Sequence, residues 1–243
     1  MPAGVSVVIP TYNERENIGR VIEQLIATLG GRELEIIVVD DRSPDGTGAA
    51  VEAWAKKDPR VKLAVKDKRE GIGAALRLGY DLGTKEVLLS MDADLSFKTA
   101  QTLRLLALID AGCDLALGSR HAPGGSYEAP TGRIKTKFFV SRLGNWVIRA
   151  LMGFGLHDYS ANFRAMRRGA WHQITTEENS NSMLLEMVFK AKCRGFKIAE
   201  APVSFVDRVH GQSKIELHRE APRFLANLVK YAFRYRVLGG DRA

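Results

Sequence analysis

Short apolar runs alternate with helical patterns through the first half of this chain, and that alternation restricts its fold more than any other feature. The runs Val5–Pro10, Leu34–Val39, Val61–Val65, Val87–Met91 and Leu115–Gly118 are strand-sized and apolar almost throughout. After the first of them, Ile18, Val21, Ile22, Leu25, Ile26 and Leu29 recur at i, i+3, i+4, i+7, i+8 and i+11, the period of an amphipathic helix. Asn13 with Glu16 resembles a capping box at its start, and Gly30-Gly31 ends it. Further helices are expected over Thr47–Lys57, with Asp45 as N-cap, from Gly71–Gly73 to about Leu82, and over Thr99–Ala111. Apolar strands separated by helices form a parallel sheet covered on both faces. The expected fold class is therefore α/β, with a mostly parallel sheet and helices on either side.

The second half is less regular. His121–Arg133 reads as a Gly/Pro-rich loop, Lys135–Met152 as a basic helix and Asn181–Arg194 as another helix. Ile198–Val206 is expected to be extended, interrupted by Pro202, and Pro222 suits the start of a last helix running to about Arg236. No repeat or low-complexity linker divides the chain. The expectation is one domain over residues 1–243, with residues 1–118 forming a nucleotide-binding half and 119–243 an acceptor-binding and membrane-surface half.

The net charge of +8 is unevenly spread. From Ala129 to His157 there is no acid, whereas Arg133, Lys135, Lys137, Arg142 and Arg149 are present. Such a balance favours an anionic partner: nucleic acid, a phosphorylated substrate or an anionic membrane surface. No apolar run reaches the roughly 18 residues of a spanning helix, and no signal peptide is visible. Cys113 and Cys193 form no C-x-x-C pair and read as buried thiols in a reducing compartment. The histidines lack the spacing of a zinc site.

Chemistry gathers at the strand ends. Asp92-Ala93-Asp94 follows Val87–Met91 directly, which sets two carboxylates one residue apart where α/β sheets bind ligands. Two acids there repel each other unless a cation lies between them, and Mg2+ or Mn2+ carrying a phosphate is the economical candidate. A strand end capped by Asp is the plainer alternative. Asp40-Asp41 ends the second strand, and Asp41 there could accept hydrogen bonds from a ribose or base. Arg120, after Gly118-Ser119, could clamp a phosphate with two parallel hydrogen bonds. Gly71-Ile72-Gly73 has Leu76 where a dinucleotide site needs its third glycine, so a dehydrogenase is disfavoured. The pair fits a helix cap or a close approach of backbone to a ligand. Val206–Lys214 mixes cations with a Gly turn and suits a loop folding over a phosphate-bearing ligand. In Arg133–Arg149 cations alternate with large apolar residues, as in a helix lying on a membrane surface; a packed helix with a basic outer face is the alternative. It carries no recognised nucleic-acid motif, and no nucleic-acid partner is expected.

Taken together, Val8–Glu14, Val38–Thr47, Asp92–Ser96, Gly118–Arg120 and Val206–Lys214 resemble family 2 glycosyltransferases of the GT-A fold, a Rossmann-like architecture. The branch they look like is the dolichol-phosphate or polyprenol-phosphate mannose synthases. The resemblance implies transfer of mannose from GDP-mannose to a polyprenyl phosphate, with Mg2+ or Mn2+ as cofactor. It places Pro10, Tyr12, Glu14, Val39 and Asp41 in the nucleotide pocket, and Asp92, Ala93, Asp94 and Ser96 at the metal and diphosphate, Asp92, Asp94 and Ser96 being metal ligands. Arg120, Lys137 and Ser141 fall where the family holds the acceptor phosphate, and Arg208 and Lys214 on the loop closing over the donor. Asp94 and Arg120 would carry the catalysis. The implied location is cytoplasmic, peripheral on the inner membrane face, with an anionic membrane surface and a separate membrane-anchoring subunit as further partners. Three departures stand out: Lys137 in place of Arg, Ala161-Asn162-Phe163 in place of Ser-Gly-Phe, and Phe97-Lys98 in place of His-Pro.

A phosphate acceptor is already an anion at neutral pH, so positioning and electrostatics rather than a strong general base would carry such a reaction. Two other readings stay open at this point. One is a transferase of the same fold using UDP-glucose or another donor. The other is a non-catalytic basic protein that binds membranes or nucleic acid.

Overall fold

A computed structural model describes residues 2–128, 132–153, 155–206, 226–231 and 233, without the side chains of 132–140 and 152. Four strands alternate with helices as the sequence predicts: β1 (Val5–Thr11), α1 (Arg15–Leu29), β2 (Leu34–Asp40), α2 (Thr47–Ala55), β3 (Val61–Val65), α3 (Ile72–Leu82) and β4 (Val87–Met91). A 3-10 turn at Thr99–Gln101 leads into α4 (Thr102–Asp110), followed by β5 (Leu115–Ser119) and β6 (Ser126–Glu128). Then come α5 (Gly132–Met152), β7 (Phe163–Arg167), α6 (Arg168–Trp171), α7 (Ser182–Cys193), β8 (Ile198–Pro202) and β9 (Ser204–Val206).

Seven strands form one sheet in the order β3-β2-β1-β4-β7-β5-β8. β1, β2, β3 and β4 are parallel, but β7 runs antiparallel between β4 and β5. The sequence reading did not anticipate β7, and β5 is therefore not the next parallel neighbour of β4. The cause is local: Arg164 and Arg167 interrupt the apolar pattern of this strand. β7 and β8 lie beyond residue 118 yet belong to the same sheet as β1–β5.

Side-chain alternation along each strand feeds a different core on each face. Val5, Val7 and Ile9 point into a cluster with Ile18, Val21, Ile22 and Leu25 of α1 and Leu105 and Ile109 of α4. Val8 joins the opposite cluster with Leu76 and Tyr80 of α3 and Met183, Met187 and Phe189 of α7. These positions are almost wholly buried, and each large aliphatic side chain so removed from water contributes about 1.5–3 kcal/mol. α3 lies so close to the sheet that a Cβ at Gly79 would stand 2.2 Å from Val8 Cγ1.

Gly71 and Gly73 serve packing. Gly71, at φ 103°, is the N-cap of α3, and the Gly73 amide donates to Asn179 O at 2.9 Å. A Cβ on either glycine would lie 2.4 Å from a carbonyl oxygen of Glu178 or Asn179. What approaches the two Cβ positions is the protein's own backbone. Cys113 and Cys193 are free and half-buried rather than buried; Cys193 is the last residue of α7, and Cys113 lies in the connection between α4 and β5.

The strand order places the functional region. β1 lies between β2 and β4, so the chain reverses its direction of sheet growth between these neighbours. A crevice opens at the carboxyl ends of strands at such a switch point. Residues 11–14 leave β1 there and Asp92-Ala93-Asp94 leave β4. β5 points the same way as β4, both being antiparallel to β7. Arg120 therefore emerges at the same edge, where residues 158–162 enter β7.

Candidate active site

At the carboxyl end of β2 the two neighbouring acids divide their work. Asp40, buried, accepts hydrogen bonds from Thr11 Oγ1 at 2.9 Å, Ser43 Oγ at 2.5 Å and Ser43 N at 2.8 Å. It fixes the turn in which Arg42 adopts φ 57°. Asp41 is buried too, and its Oδ1 lies 2.9 Å from Lys66 Nζ, a side chain 5% exposed. The two attract as charges without an aligned hydrogen bond, since neither atom has a hydrogen-bond partner among the described residues. Glu70 lies 3.6 Å from the same ammonium. The Arg69 guanidinium sits 3.9 Å above the Tyr12 ring, a cation–π contact. Pro10 and Val39 are paired across β1 and β2 beneath these groups. Sequence reasoning missed Lys66 and Arg69, whose partners only the sheet order brings near.

The capping box expected at Asn13 and Glu16 does not form. α1 starts at Arg15 with no side-chain cap, and Asn13 adopts φ 56°. The acceptor comes instead from Asp45. Its Oδ2 takes the Arg15 amide at 3.1 Å, and its Oδ1 takes Thr47 N at 3.0 Å and Thr47 Oγ1 at 2.6 Å. Thr47 Oγ1 in turn accepts from Glu14 N at 2.9 Å. One carboxylate thus joins the N-terminal ends of α1 and α2 and steadies Glu14, whose Oε2 accepts from Asn17 Nδ2 at 2.9 Å.

At the end of β4, Asp94 is buried, and its Oδ1 accepts the Ser96 amide at 3.0 Å across Leu95, which adopts φ 60°. Ser96 is buried as well, and among the described residues its Oγ has no hydrogen-bond partner. Asp92, half-buried, accepts from Asn162 Nδ2 at 2.8 Å, and Ala93 is buried between the two acids. Among the described residues no third His, Cys, Asp or Glu completes a metal cluster. Two carboxylates and an unsatisfied hydroxyl are hard oxygen donors. They suit Mg2+ or Mn2+ in a site where substrate phosphates and water supply the remaining ligands. Phe97 and Lys98 anchor the segment that follows. Phe97 stacks on Phe163 at 4.7 Å and meets Phe205 edge-on at 5.3 Å, and Lys98 pairs with Glu128 at 3.1 Å.

On the other side, Arg120 donates from Nε and Nη2 to Asp158 at 2.7 and 2.9 Å, and from Nη2 to Ser160 Oγ at 2.8 Å. Burial opposes charge on both partners, but their mutual attraction and hydrogen bonds outweigh it. The Arg120 pKa is raised and that of Asp158 is lowered. The guanidinium lies 5.6 Å from the Tyr127 ring and 5.7 Å from Phe205. Ser141 Oγ is 3.1 Å from His121 Nε2, and Asn145 Nδ2 donates to Ser141 O at 2.9 Å. Burial first, then the Arg120 and Arg142 charges, depress the His121 pKa against the opposing effect of Asp158. The Lys137 side chain, Arg208 and Lys214 lie outside the described residues.

Residues 158–162 join the two sides: Asp158 and Ser160 hold Arg120, and Asn162 holds Asp92. Arg164 follows, fully buried, with Nη2 donating to Ala161 O at 2.6 Å and Nη1 to Leu184 O at 2.8 Å. Desolvation lowers its pKa to about 10, so it remains a cation at neutral pH beneath the site. Apart from Ala161 and Asn162, seen only as departures from the family pattern, the sequence did not single out Asp158, Ser160 or Arg164.

A family model described as "Glycosyl transferase family 2" matches residues 6–175, well over half of the chain. The chain belongs to glycosyl transferase family 2. This glycosyltransferase is 38% identical over 216 residues to polyprenol monophosphomannose synthase of Mycolicibacterium smegmatis, covering 86% of the chain and 80% of that protein. It is 34% identical to undecaprenyl-phosphate mannosyltransferase of Micrococcus luteus, over 87% of each chain. It is 33% identical to dolichol-phosphate mannosyltransferase of Pyrococcus furiosus, over 87% of the chain and 59% of that protein. Among solved structures, glucosyl-3-phosphoglycerate synthase of Mycobacterium tuberculosis, in complex with Mn2+, UDP and phosphoglyceric acid, superposes with a TM-score of 0.71 at 19% identity. That match covers 95% of this chain and 78% of the other. At that identity the likeness concerns the fold, and the fold is that of GT-A glycosyltransferases.

Proposed function

We propose that this glycosyltransferase moves mannose from GDP-mannose to the phosphate of a polyprenol, by a single displacement that inverts the sugar's anomeric carbon. What carries the reading is a pair of unlike sites at one sheet edge, in a chain 33–38% identical to enzymes named for this chemistry. Asp94 and the unsatisfied Ser96 hydroxyl form an oxygen-rich site, and Arg120 forms a rigid cationic one.

Asp92, Asp94 and Ser96 would hold Mg2+ or Mn2+, which when bound neutralises charge on the departing nucleoside diphosphate. Tyr12, Glu14 and Asp41 line the nucleotide pocket over Pro10 and Val39, with Ala93 packed at the diphosphate end. Asp41 accepts hydrogen bonds from the base or ribose, and Lys66 keeps its carboxylate from being an isolated buried charge. Arg120, Lys137 and Ser141 receive the acceptor phosphate. Asp158 and Ser160 hold the Arg120 fork on one side, which orients the acceptor without a conformational search. Arg208 and Lys214 close over the donor. The acceptor needs no general base, and neutral His121 serves to orient the Ser141 hydroxyl.

A polyprenol is insoluble in water, so the enzyme meets it at a bilayer. Among the described residues no helix is long and apolar enough to cross a membrane. α5 nevertheless exposes Leu143 and Trp146, the latter 64% exposed, beside the exposed Arg142 and Arg149. Residues 226–231 and 233 divide their apolar side chains. Leu228 and Tyr231 pack into the core, with Tyr231 stacked on Phe189 at 5.6 Å, while Val229 and Phe233 are exposed. These exposed groups form a surface for an anionic leaflet.

Thermal stabilisation tests the donor side. GDP with Mn2+ should raise the melting temperature more than UDP with Mn2+ or RNA does; equal or greater stabilisation by UDP would favour a different donor.

A further inference from the structure

Asp92 is tied to the protein core by a chain of hydrogen bonds through buried side chains. Tyr80 Oη lies 2.7 Å from Ser90 Oγ, Ser90 Oγ lies 2.7 Å from Asn162 Oδ1, and Asn162 Nδ2 lies 2.8 Å from Asp92 Oδ1. Tyr80, Ser90 and Asn162 are at most 4% exposed. Their chemistry fixes the direction of every bond. A carboxylate only accepts, so Asn162 turns its amide nitrogen to Asp92 and its carbonyl to Ser90. Ser90 spends its one proton on that carbonyl, so Tyr80 must donate to Ser90. Burial raises the Tyr80 pKa and keeps its phenol protonated.

The far end of the chain is rigid. Tyr80 packs on Trp171 with ring centroids 4.9 Å apart, and Trp171 Nε1 donates to Asp81 Oδ1 at 2.7 Å. The near end is set by strand register. Met91 pairs with Phe163 in the β4–β7 ladder, so Asn162 and Asp92 are the next residues on facing strands.

We propose that Asn162 is a positioning residue for Asp92. Its amide, oriented by Ser90 and Tyr80, fixes which carboxylate oxygen turns into the protein, and so sets the orientation in which Asp92 meets the donor's diphosphate and its cation. The proposal rests on the reading that Asp92 belongs to the active site. Outer partners that orient a ligand side chain typically matter by about 10–100-fold in metal affinity or activity.

The test is a double-mutant cycle on the full chain, measuring mannose transfer from GDP-mannose to a polyprenyl phosphate. Asn162→Ala should lower kcat/KM about 10–100-fold. It should also raise, by a similar factor, the Mn2+ concentration giving half-maximal thermal stabilisation in the presence of GDP. On an Asp92→Ala background it should cost nothing further, because its effect passes through Asp92. Ser90→Ala, which removes the orienting donor without touching Asp92, should act in the same direction and also vanish on that background; it carries the test if Asn162→Ala does not fold. Wild-type kcat/KM in Asn162→Ala, or an equal loss with and without Asp92, overturns the positioning role alone. Full activity and an unchanged Mn2+ response in Asp92→Ala overturn the active-site reading, and the proposal with it.

Discussion

Arg120 and Asp158 grip each other through two parallel hydrogen bonds, of 2.7 and 2.9 Å, and the Asp158 side chain is wholly buried. Asp158 therefore decides the orientation of the Arg120 fork, the group proposed to meet the acceptor phosphate. Replacing Arg120 by alanine would orphan a buried carboxylate and confuse folding with binding. Arg120→Lys keeps the charge and loses the fork. It should reduce acceptor use at least about tenfold, about 1.4 kcal/mol, while GDP with Mn2+ stabilises the protein as in wild type. Equal loss of both responses, read by acceptor titration and by melting temperature, would mean that Arg120 does not serve the acceptor.

Asp94→Asn should leave the local turn intact, because an amide oxygen still accepts the Ser96 amide that Asp94 Oδ1 now accepts at 3.0 Å. It removes only the charge. Turnover should fall about a hundredfold, about 3 kcal/mol of transition-state stabilisation, and EDTA should suppress the wild-type enzyme. Full activity in either condition would rule out a metal held by this strand end.

The elements legible in the sequence were those whose partners are close in the chain. β1 to β4 and α1 to α3 follow from apolar periodicity, since each strand packs on neighbouring helices. β7 was hidden because Arg164 is buried among the carbonyls of Ala161 and Leu184, and no local pattern announces such solvation. The cap of α1 was misread for a like reason: its acceptor, Asp45, lies 30 residues further on. Asp92 and Asp94 stood out because strand ends concentrate ligand chemistry. Asp158 and Ser160, which hold Arg120, come from the entry into β7 and could not be seen without it; Asn162 stood out only as a departure from a pattern, with no sign that it reaches Asp92.

Stability should depend on pH through His121. Its folded pKa lies below the ordinary value of 6.5, chiefly through burial, with the Arg120 and Arg142 charges adding to the shift and those of Asp158 and Glu200 opposing it. As pH falls through that ordinary value the unfolded chain takes up a proton that the folded ring resists. Stability therefore declines until the folded pKa is reached. His121→Gln should show a smaller loss of urea midpoint between about pH 7.5 and about pH 5.5 than wild type. An identical loss would show that His121 does not contribute.

Binding to anionic liposomes should weaken with salt but persist, because each basic residue near the leaflet contributes about 1 kcal/mol that salt screens, whereas Trp146, Leu143 and Phe233 add an apolar contribution that it does not. Neutral liposomes should bind little. Trp146→Ala should reduce the salt-resistant part without lowering stability, since that side chain is 64% exposed. Sedimentation at low salt decides: intact protein that stays in the supernatant with anionic liposomes has no such surface.

The most direct test is transfer itself. Purified protein is incubated with a polyprenyl phosphate, Mg2+ or Mn2+, and labelled GDP-mannose or UDP-glucose in turn, and the label is followed into the lipid fraction. A mannolipid formed from GDP-mannose, dependent on the divalent cation and on the acceptor phosphate, is the predicted result. Lipid labelled from UDP-glucose instead, or no labelled lipid from either donor, would contradict the account.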